Sequence, residues 1–205
     1  MRTDDNNVED WRTRLADDLM EGAFTCWGDI TRAEISEFRR ILALADDERP
    51  LQKYLERNPE LLGGNNGGRV IPQKRLGAEF VPDFLMSETN SGGTYWTLVE
   101  LQSPRTKFFT KSGRPTKQLD EGIRQILEWR RWLAANRDYA QRSHRSNGLG
   151  LGGIDDKAKG LLLIGREQDK VDAESEQLRQ LEYDHRISIH TYDWLARRAE
   201  ARQRP

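Results

Sequence analysis

The chain of 205 residues contains one cysteine, Cys26, and three histidines. A single cysteine excludes a disulfide bond within the chain, and the histidines lack the mutual spacing of a zinc site. The sequence also lacks an apolar run long enough to cross a bilayer, and no apolar stretch follows the first residues. We therefore expect a soluble, cytoplasmic protein with no membrane partner and no signal peptide. The net charge of −1 argues against general adhesion to nucleic acid.

Two short apolar segments, 80–84 and 98–102, carry polar side chains in their interior. Their aromatic and β-branched residues are typical of buried strands, and the residues between them include strong turn formers, so we expect adjacent antiparallel strands. Glu100 and Gln102 share one face because residues i and i+2 of a strand point the same way, and Asp83 is expected near that face. A buried pair of carboxylates is costly unless a positive charge compensates it, and a divalent cation does so well.

The two segments also resemble a known motif. Pro82-Asp83 and Glu100-Leu101-Gln102 are similar to the PD-(D/E)xK motif of a nuclease superfamily, with glutamine in the place of the usual lysine. Taken alone, these residues allow a simpler interpretation. In it, Asp83 is a turn or ion-pair residue and Glu100 is a charge at a strand end.

Segments around this motif resemble the Shedu nuclease family, in the same order over roughly residues 36–200. They are a helix-like segment at 51–62, an acidic strand followed by a proline at 98–104, a helix-like segment at 125–133, and two strand-like segments at 160–166 and 187–195. The resemblance implies an α/β fold with a restriction-endonuclease-like core at 46–200. That core is a central mixed sheet of about four to five strands flanked by helices. A helical N-terminal extension would occupy residues 1–45.

Local patterns predict the elements of this fold. Apolar periodicity predicts helices, alternation and β-branched residues predict strands, and a glycine-rich segment predicts a flexible excursion. The predicted helices are 8–45, 46–62, 116–136 and 172–183; the predicted strands are 69–76, 79–86, 95–102, 160–166 and 187–192; the flexible excursion is 143–159.

The resemblance implies a metal-dependent DNA endonuclease that acts in defence against bacteriophage. Asp83 and Glu100 are expected to hold one or two Mg²⁺ (or Mn²⁺) ions, and the carbonyl of Leu101 is a candidate for a further ligand. A further carboxylate from the first helix of the core is expected from Glu48 or Glu56. The sequence does not choose between them, and either is alternatively an exposed helix charge.

Gln102 is the main departure from the motif. Glutamine donates and accepts hydrogen bonds and can orient a water molecule, but it supplies no positive charge. Arg105 or Lys107, from the adjoining loop, would restore one. Gln125 is either a supporting residue beside the site or a helix-packing glutamine. The alternative function is therefore a catalytically weak or inactive relative that binds DNA or regulates, or an oligomeric structural protein.

The segment 105–117 contains basic residues and no acidic ones, which predicts contacts with DNA phosphates. Its two phenylalanines, Phe108 and Phe109, are expected either to stack on bases or to pack in the core or at an oligomer interface. Family members commonly assemble, so we expect a homo-oligomer. The candidate DNA-binding residues are Arg105, Lys107, Lys111, Arg114 and Lys117.

Overall fold

The computed structural model of the chain describes residues 24–25, 30–63, 68–169 and 175–203. Within these ranges the chain forms one mixed sheet with helices packed on both faces. The strands are β1 (Phe24–Thr25), β2 (Arg69–Pro72), β3 (Phe84–Asn90), β4 (Gly93–Leu101), β5 (Lys159–Leu163) and β6 (Ile187–His190). The α-helices are α1 (Arg32–Leu44), α2 (Arg49–Arg57), α3 (Lys117–Ala135), α4 (Arg137–Gln141), α5 (Ser175–His185) and α6 (Tyr192–Arg202).

The strands lie in the sheet in the order of the sequence. β1 to β4 are antiparallel neighbours, whereas β4, β5 and β6 are parallel. Parallel neighbours need a long crossover connection, and α3 and α5 lie within the two that this sheet requires. The α/β prediction of a mixed sheet flanked by helices is confirmed, with the two-residue β1 as an additional strand.

Each face of the sheet has its own hydrophobic core, because successive strand residues point to opposite faces. On one face, Leu98 of β4 packs in a cluster with Ile126 of α3. On the other face, Val99 packs in a cluster with Leu55 of α2, together with residues of α1 and α6. The end of β4 therefore lies between α2 on one side and α3 on the other.

The predicted N-terminal helical extension lies partly outside the described residues. Inside them, α1 agrees with the prediction and begins with a capping box. The Thr31 hydroxyl accepts from the Glu34 N–H at 3.2 Å, and the Glu34 carboxylate accepts from the Thr31 N–H at 2.7 Å. The prediction of helix at β1 is wrong. An aromatic and a β-branched residue favour a strand, and this one pairs antiparallel with β2.

Three predicted elements are shorter than the sequence pattern indicated. α2 ends at Arg57 because Pro59, which has no N–H to continue the helix, opens a separate 3₁₀ turn. β2 ends at Pro72, and Gln73 follows it in a left-handed conformation with φ of 45°. The predicted strand 79–86 is extended only from Phe84 onward, so its aspartate stands just before β3.

The prediction of a flexible excursion at 143–159 is wrong. Leu151 and Ile154 are buried in the core on the α3 side. The N–H of Leu151 donates to the carbonyl of Ala140 at 3.0 Å. Gly150 and Gly153 have φ of 69° and 78°, and these left-handed turns return the intervening apolar residues to the core.

The region just before this segment also forms a short helix, α4, that the sequence did not predict. No helix in the described part of the chain combines the length and the apolar composition that a membrane span requires.

Candidate active site

Asp83 and Glu100 meet where the β3–β4 pair ends. Phe84 pairs with Val99 in the antiparallel register, so the next pair of positions sets Asp83 opposite Glu100. Opposite residues share a face of the sheet, and the two carboxyl groups hydrogen-bond to each other. Asp83 Oδ2 also accepts from the backbone N–H of Leu101 at 2.8 Å. The structure therefore brings together the two acids on which the sequence argument depends.

Glu100 is buried and Asp83 is partly buried, and this burial shifts the protonation of both carboxyl groups. Burial, the neighbouring charge of Asp83 and other nearby groups raise the pKa of Glu100 to about 9. Burial also raises the pKa of Asp83, to about 6, although the hydrogen bond from Leu101 opposes this shift. At neutral pH the pair therefore retains one proton, on Glu100, which donates it to the Asp83 carboxylate.

The pair has negatively charged neighbours. Glu48, at the N-cap of α2, and Glu56, in its last turn, each add a charge that raises the pKa of Asp83, and Glu48 acts on Glu100 as well. Both candidate glutamates act electrostatically on Asp83, so the structure does not choose between them.

Gln102 and Gln125 lie beside the pair on the α3 side. Gln102 Nε2 donates to Glu100 Oε1 at 3.1 Å and to Gln125 Oε1 at 3.3 Å. α3 approaches β5 and the end of β4 closely because it has Gly122 at the contact, where a Cβ atom would stand 2.6 Å from Leu162 Cδ1 and 3.3 Å from Gln102 Cγ. Gln102 thus occupies the motif position with hydrogen-bond donors and without a positive charge.

Tyr192 supports this arrangement and was not singled out from the sequence. The sequence predicted a strand through this residue, but Thr191 caps α6, and Tyr192 is its first residue. The Tyr192 hydroxyl donates to the backbone carbonyl of Gln102 at 2.8 Å. The side chain is fully buried, and burial, with the charges of Asp83 and Glu48 among the lesser causes, raises its pKa well above the usual range. A threonine followed by an apolar helical pattern is the signal that would have found this helix start.

The chemistry of the donor set fits a hard divalent cation, which prefers oxygen ligands and offsets buried negative charge. Asp83 and Glu100 supply carboxylate oxygens, and Glu48 and Glu56 add charge from α2. Among the described residues, no three of His, Cys, Asp and Glu are close enough together to form a metal-binding group. The set is therefore a carboxyl pair with more distant glutamates, and any remaining ligands would be backbone or water oxygens.

The family of the chain is decided by its sequence. The family model described as "Shedu protein SduA, C-terminal" matches residues 45–196. The chain belongs to the Shedu family. This confirms the resemblance to the Shedu family that was recognised in the sequence, and the mixed sheet flanked by helices confirms the α/β fold class.

Two solved structures of the restriction endonuclease FokI are similar to the chain. The structure of FokI bound to DNA has 15% sequence identity and a TM-score of 0.46 over 97% of this chain. The structure titled only as FokI has 14% identity and a TM-score of 0.45 over 95% of this chain. The Shedu chain spans 30% of the FokI chains. No curated protein matches the chain significantly.

The basic segment of this Shedu protein divides into a buried and an exposed part. Phe108 and Phe109 are 1% and 4% exposed and pack in the core on the α3 side, so of the alternatives drawn from the sequence the structure supports core packing and not stacking on bases. Lys107, Lys111, Arg114 and Lys117 are exposed, and their contacts with DNA stay a prediction.

Arg105 connects the segment after β4 to the end of α1 by hydrogen bonds. Its Nε donates to the Ala45 carbonyl at 2.9 Å, and its Nη2 donates to the Ala43 carbonyl at 3.1 Å. Ser103 Oγ donates to the Asp46 carbonyl at 3.1 Å, two residues before Glu48. A cationic side chain is favourable at the C-terminal end of a helix, here α1. These contacts hold the guanidinium at the end of α1, and whether Arg105 or Lys107 offsets the missing charge at Gln102 stays a prediction.

Proposed function

We propose that this Shedu protein is a divalent-metal-dependent DNA endonuclease that acts in defence against bacteriophage. The observation that carries the proposal is the pair of Asp83 and buried Glu100, which share a proton and whose pKa values are both raised, with acidic neighbours among the causes. Such a pair is unfavourable in a structural role, whereas a site for Mg²⁺ or Mn²⁺ requires it.

In this proposal Asp83 and Glu100 hold the cation, and one of Glu48 and Glu56 contributes a third carboxylate, directly or through water. When bound, the cation neutralises charge on the phosphate and lowers the pKa of a water molecule. The N–H of Leu101 fixes Asp83, and its carbonyl is a candidate ligand. The chain therefore supplies position and negative charge at this site.

Gln102 has a separate role in the proposal. Its Nε2 already donates to Glu100, so it orients that carboxyl group and can shift one hydrogen bond to a water molecule or a phosphate oxygen. A preorganised transition-state donor is worth about 10²–10³ in rate. Glutamine lacks the charge that lysine would add, so we expect slow cleavage.

A plasmid-nicking assay tests this proposal. With Mg²⁺ or Mn²⁺ we expect nicking by the wild-type protein, reduced by about 10³-fold in Asp83→Asn and in Glu100→Gln, because each replaces a carboxylate with an amide of the same shape. Glu88, exposed in the same sheet, provides the matched control Glu88→Gln, for which we expect an unchanged rate. Equal nicking by all four proteins would contradict the proposal.

A second candidate function is DNA binding or regulation without cleavage. The absence of a lysine at position 102 favours it, and Arg105, a candidate replacement, is hydrogen-bonded to the end of α1. This candidate predicts salt-sensitive DNA binding by the wild-type protein, weakened in Lys111→Ala and Arg114→Ala, with no nicking under any divalent cation. The defence role has its own test, which is phage plating on cells that carry the wild-type gene or Glu100→Gln.

A further inference from the structure

α2 presents a row of three polar side chains at intervals of four residues. Glu48, Gln52 and Glu56 therefore lie along one face of the helix. The charges of Glu48 and Glu56 act on Asp83, so this face of α2 lies within electrostatic reach of the carboxyl pair. The adjacent face carries Leu55, which is fully buried in the core shared with α1 and α6. Gln52 thus stands between the two glutamates that border the candidate site.

The side-chain amide of Gln52 is buried and lacks a partner. Its Nε2 is inaccessible to solvent and has no hydrogen bond within the described part of the chain. A buried donor without an acceptor is destabilising, and native structures satisfy nearly all such groups. The two glutamates on the same face are acceptors, yet neither of them takes this hydrogen bond. Gln102 differs, because its Nε2 donates to both Glu100 and Gln125.

The chemical nature of the acceptor that Gln52 lacks follows from its side-chain amide donor. An amide NH₂ group cannot ligate a cation, so the partner must be an oxygen atom with a free lone pair. Mg²⁺ keeps several water molecules when it binds to one or two carboxylates, and its other usual ligands are phosphate oxygens. A cation at Asp83 would therefore bring to this side of the site the acceptor that Gln52 lacks.

We propose that Gln52 is a further ligand-binding residue of this site, and that its Nε2 donates to an oxygen atom that enters with the divalent cation. The inference rests on the proposed function and extends it to α2. The oxygen belongs either to a water molecule in the outer hydration layer of the cation, whose lone pairs are free, or to a DNA phosphate. The row Glu48–Gln52–Glu56 then acts as one unit, in which the glutamates supply charge and the glutamine supplies a donor.

The test uses the full chain with Gln52→Met, a replacement of similar size and helix propensity that removes the donor. Gln118, exposed on α3, provides the matched control Gln118→Met. The unfolding temperature is measured without metal and over a Mg²⁺ titration, and DNA affinity is measured with Ca²⁺. Gln52→Leu is measured in parallel, so that a packing defect of one side chain does not decide the result.

We expect the Gln52 variants to be at least as stable as the wild type without metal, because the unpaired donor is gone. A Mg²⁺ affinity weakened about 3- to 10-fold would identify water as the acceptor. An unchanged Mg²⁺ affinity with a similarly weakened Ca²⁺-dependent DNA affinity would identify phosphate. Unchanged values for both ligands would overturn the inference.

The same experiment separates this inference from the proposed function. If Asp83→Asn abolishes the Mg²⁺ response and Gln52→Met does not alter either affinity, the role of Gln52 is wrong and the metal site stands. If Mg²⁺ does not stabilise the wild-type protein at all, the metal site and the role of Gln52 are both wrong.

Discussion

The helices α3 and α2 lie on opposite faces of the sheet near the carboxyl pair, and the polar side chains on the two sides differ in their hydrogen bonding. On the α3 side, Gln102 donates to Glu100 and to Gln125, so its amide donor is satisfied within the chain. On the α2 side, Glu48 adds a negative charge that raises the pKa of Asp83, and Gln52 has a buried donor without an acceptor. The comparison indicates that the amide donor on the α3 side finds its acceptors within the protein, whereas the amide donor on the α2 side finds its acceptor in a bound ligand.

The largest effect is expected from Gln102→Lys, which would give the α3 side the charge that it lacks. A lysine here would stand beside Glu100 and near the reacting phosphate. We expect nicking to increase by up to about 10²–10³-fold, the value of one strong transition-state interaction. The rate of plasmid nicking at saturating Mg²⁺ measures it. An unchanged or lower rate would show that charge at this position does not limit the reaction.

A smaller effect, on stability, is expected when a larger side chain is placed where α3 packs against the sheet. Gly122→Val would place new atoms against Leu162 and Gln102, and overpacking of this kind costs about 1–3 kcal/mol of unfolding free energy. Gly152→Val is the matched control, because a Cβ atom at Gly152 would meet nothing within 4 Å. Denaturant unfolding of both variants measures the difference. Equal stability of the two would contradict the close contact of α3 with β5 and the end of β4.

The carboxyl pair was predictable because it depends on local rules. The alternation of β4 fixes Glu100 and Gln102 on one face, and the turn residues before β4 make an antiparallel pairing with the segment of Asp83 the simplest choice. The same rules placed Glu48 and Glu56 on the first helix of the core. They could not choose between them, and in the structure both act electrostatically on Asp83.

The parts that the sequence did not predict depend on tertiary packing. Composition alone suggested that the glycine-rich 143–159 is flexible, but Leu151 and Ile154 gain burial in the core and anchor it. Phe108 and Phe109 are buried for the same reason. The unpaired amide of Gln52 could not be predicted at all, since an unsatisfied donor is defined by what surrounds it in three dimensions.

The pH dependence of stability tests the central claim that this pair is a cation site. The pKa of Glu100 is about 9 in the folded protein, against an ordinary value of 4.5, so the folded state binds a proton that the unfolded state releases. Metal-free stability should therefore fall as pH rises between these values, by up to about 1.4 kcal/mol per pH unit.

The decisive measurement is the unfolding free energy between pH 6 and pH 8.5, with and without Mg²⁺, for the wild type and Glu100→Gln. We predict that the metal-free wild type loses stability as pH rises, that Mg²⁺ restores it most at the highest pH, and that Glu100→Gln is insensitive to both. A wild-type protein whose stability neither falls with pH nor responds to Mg²⁺ would contradict the account.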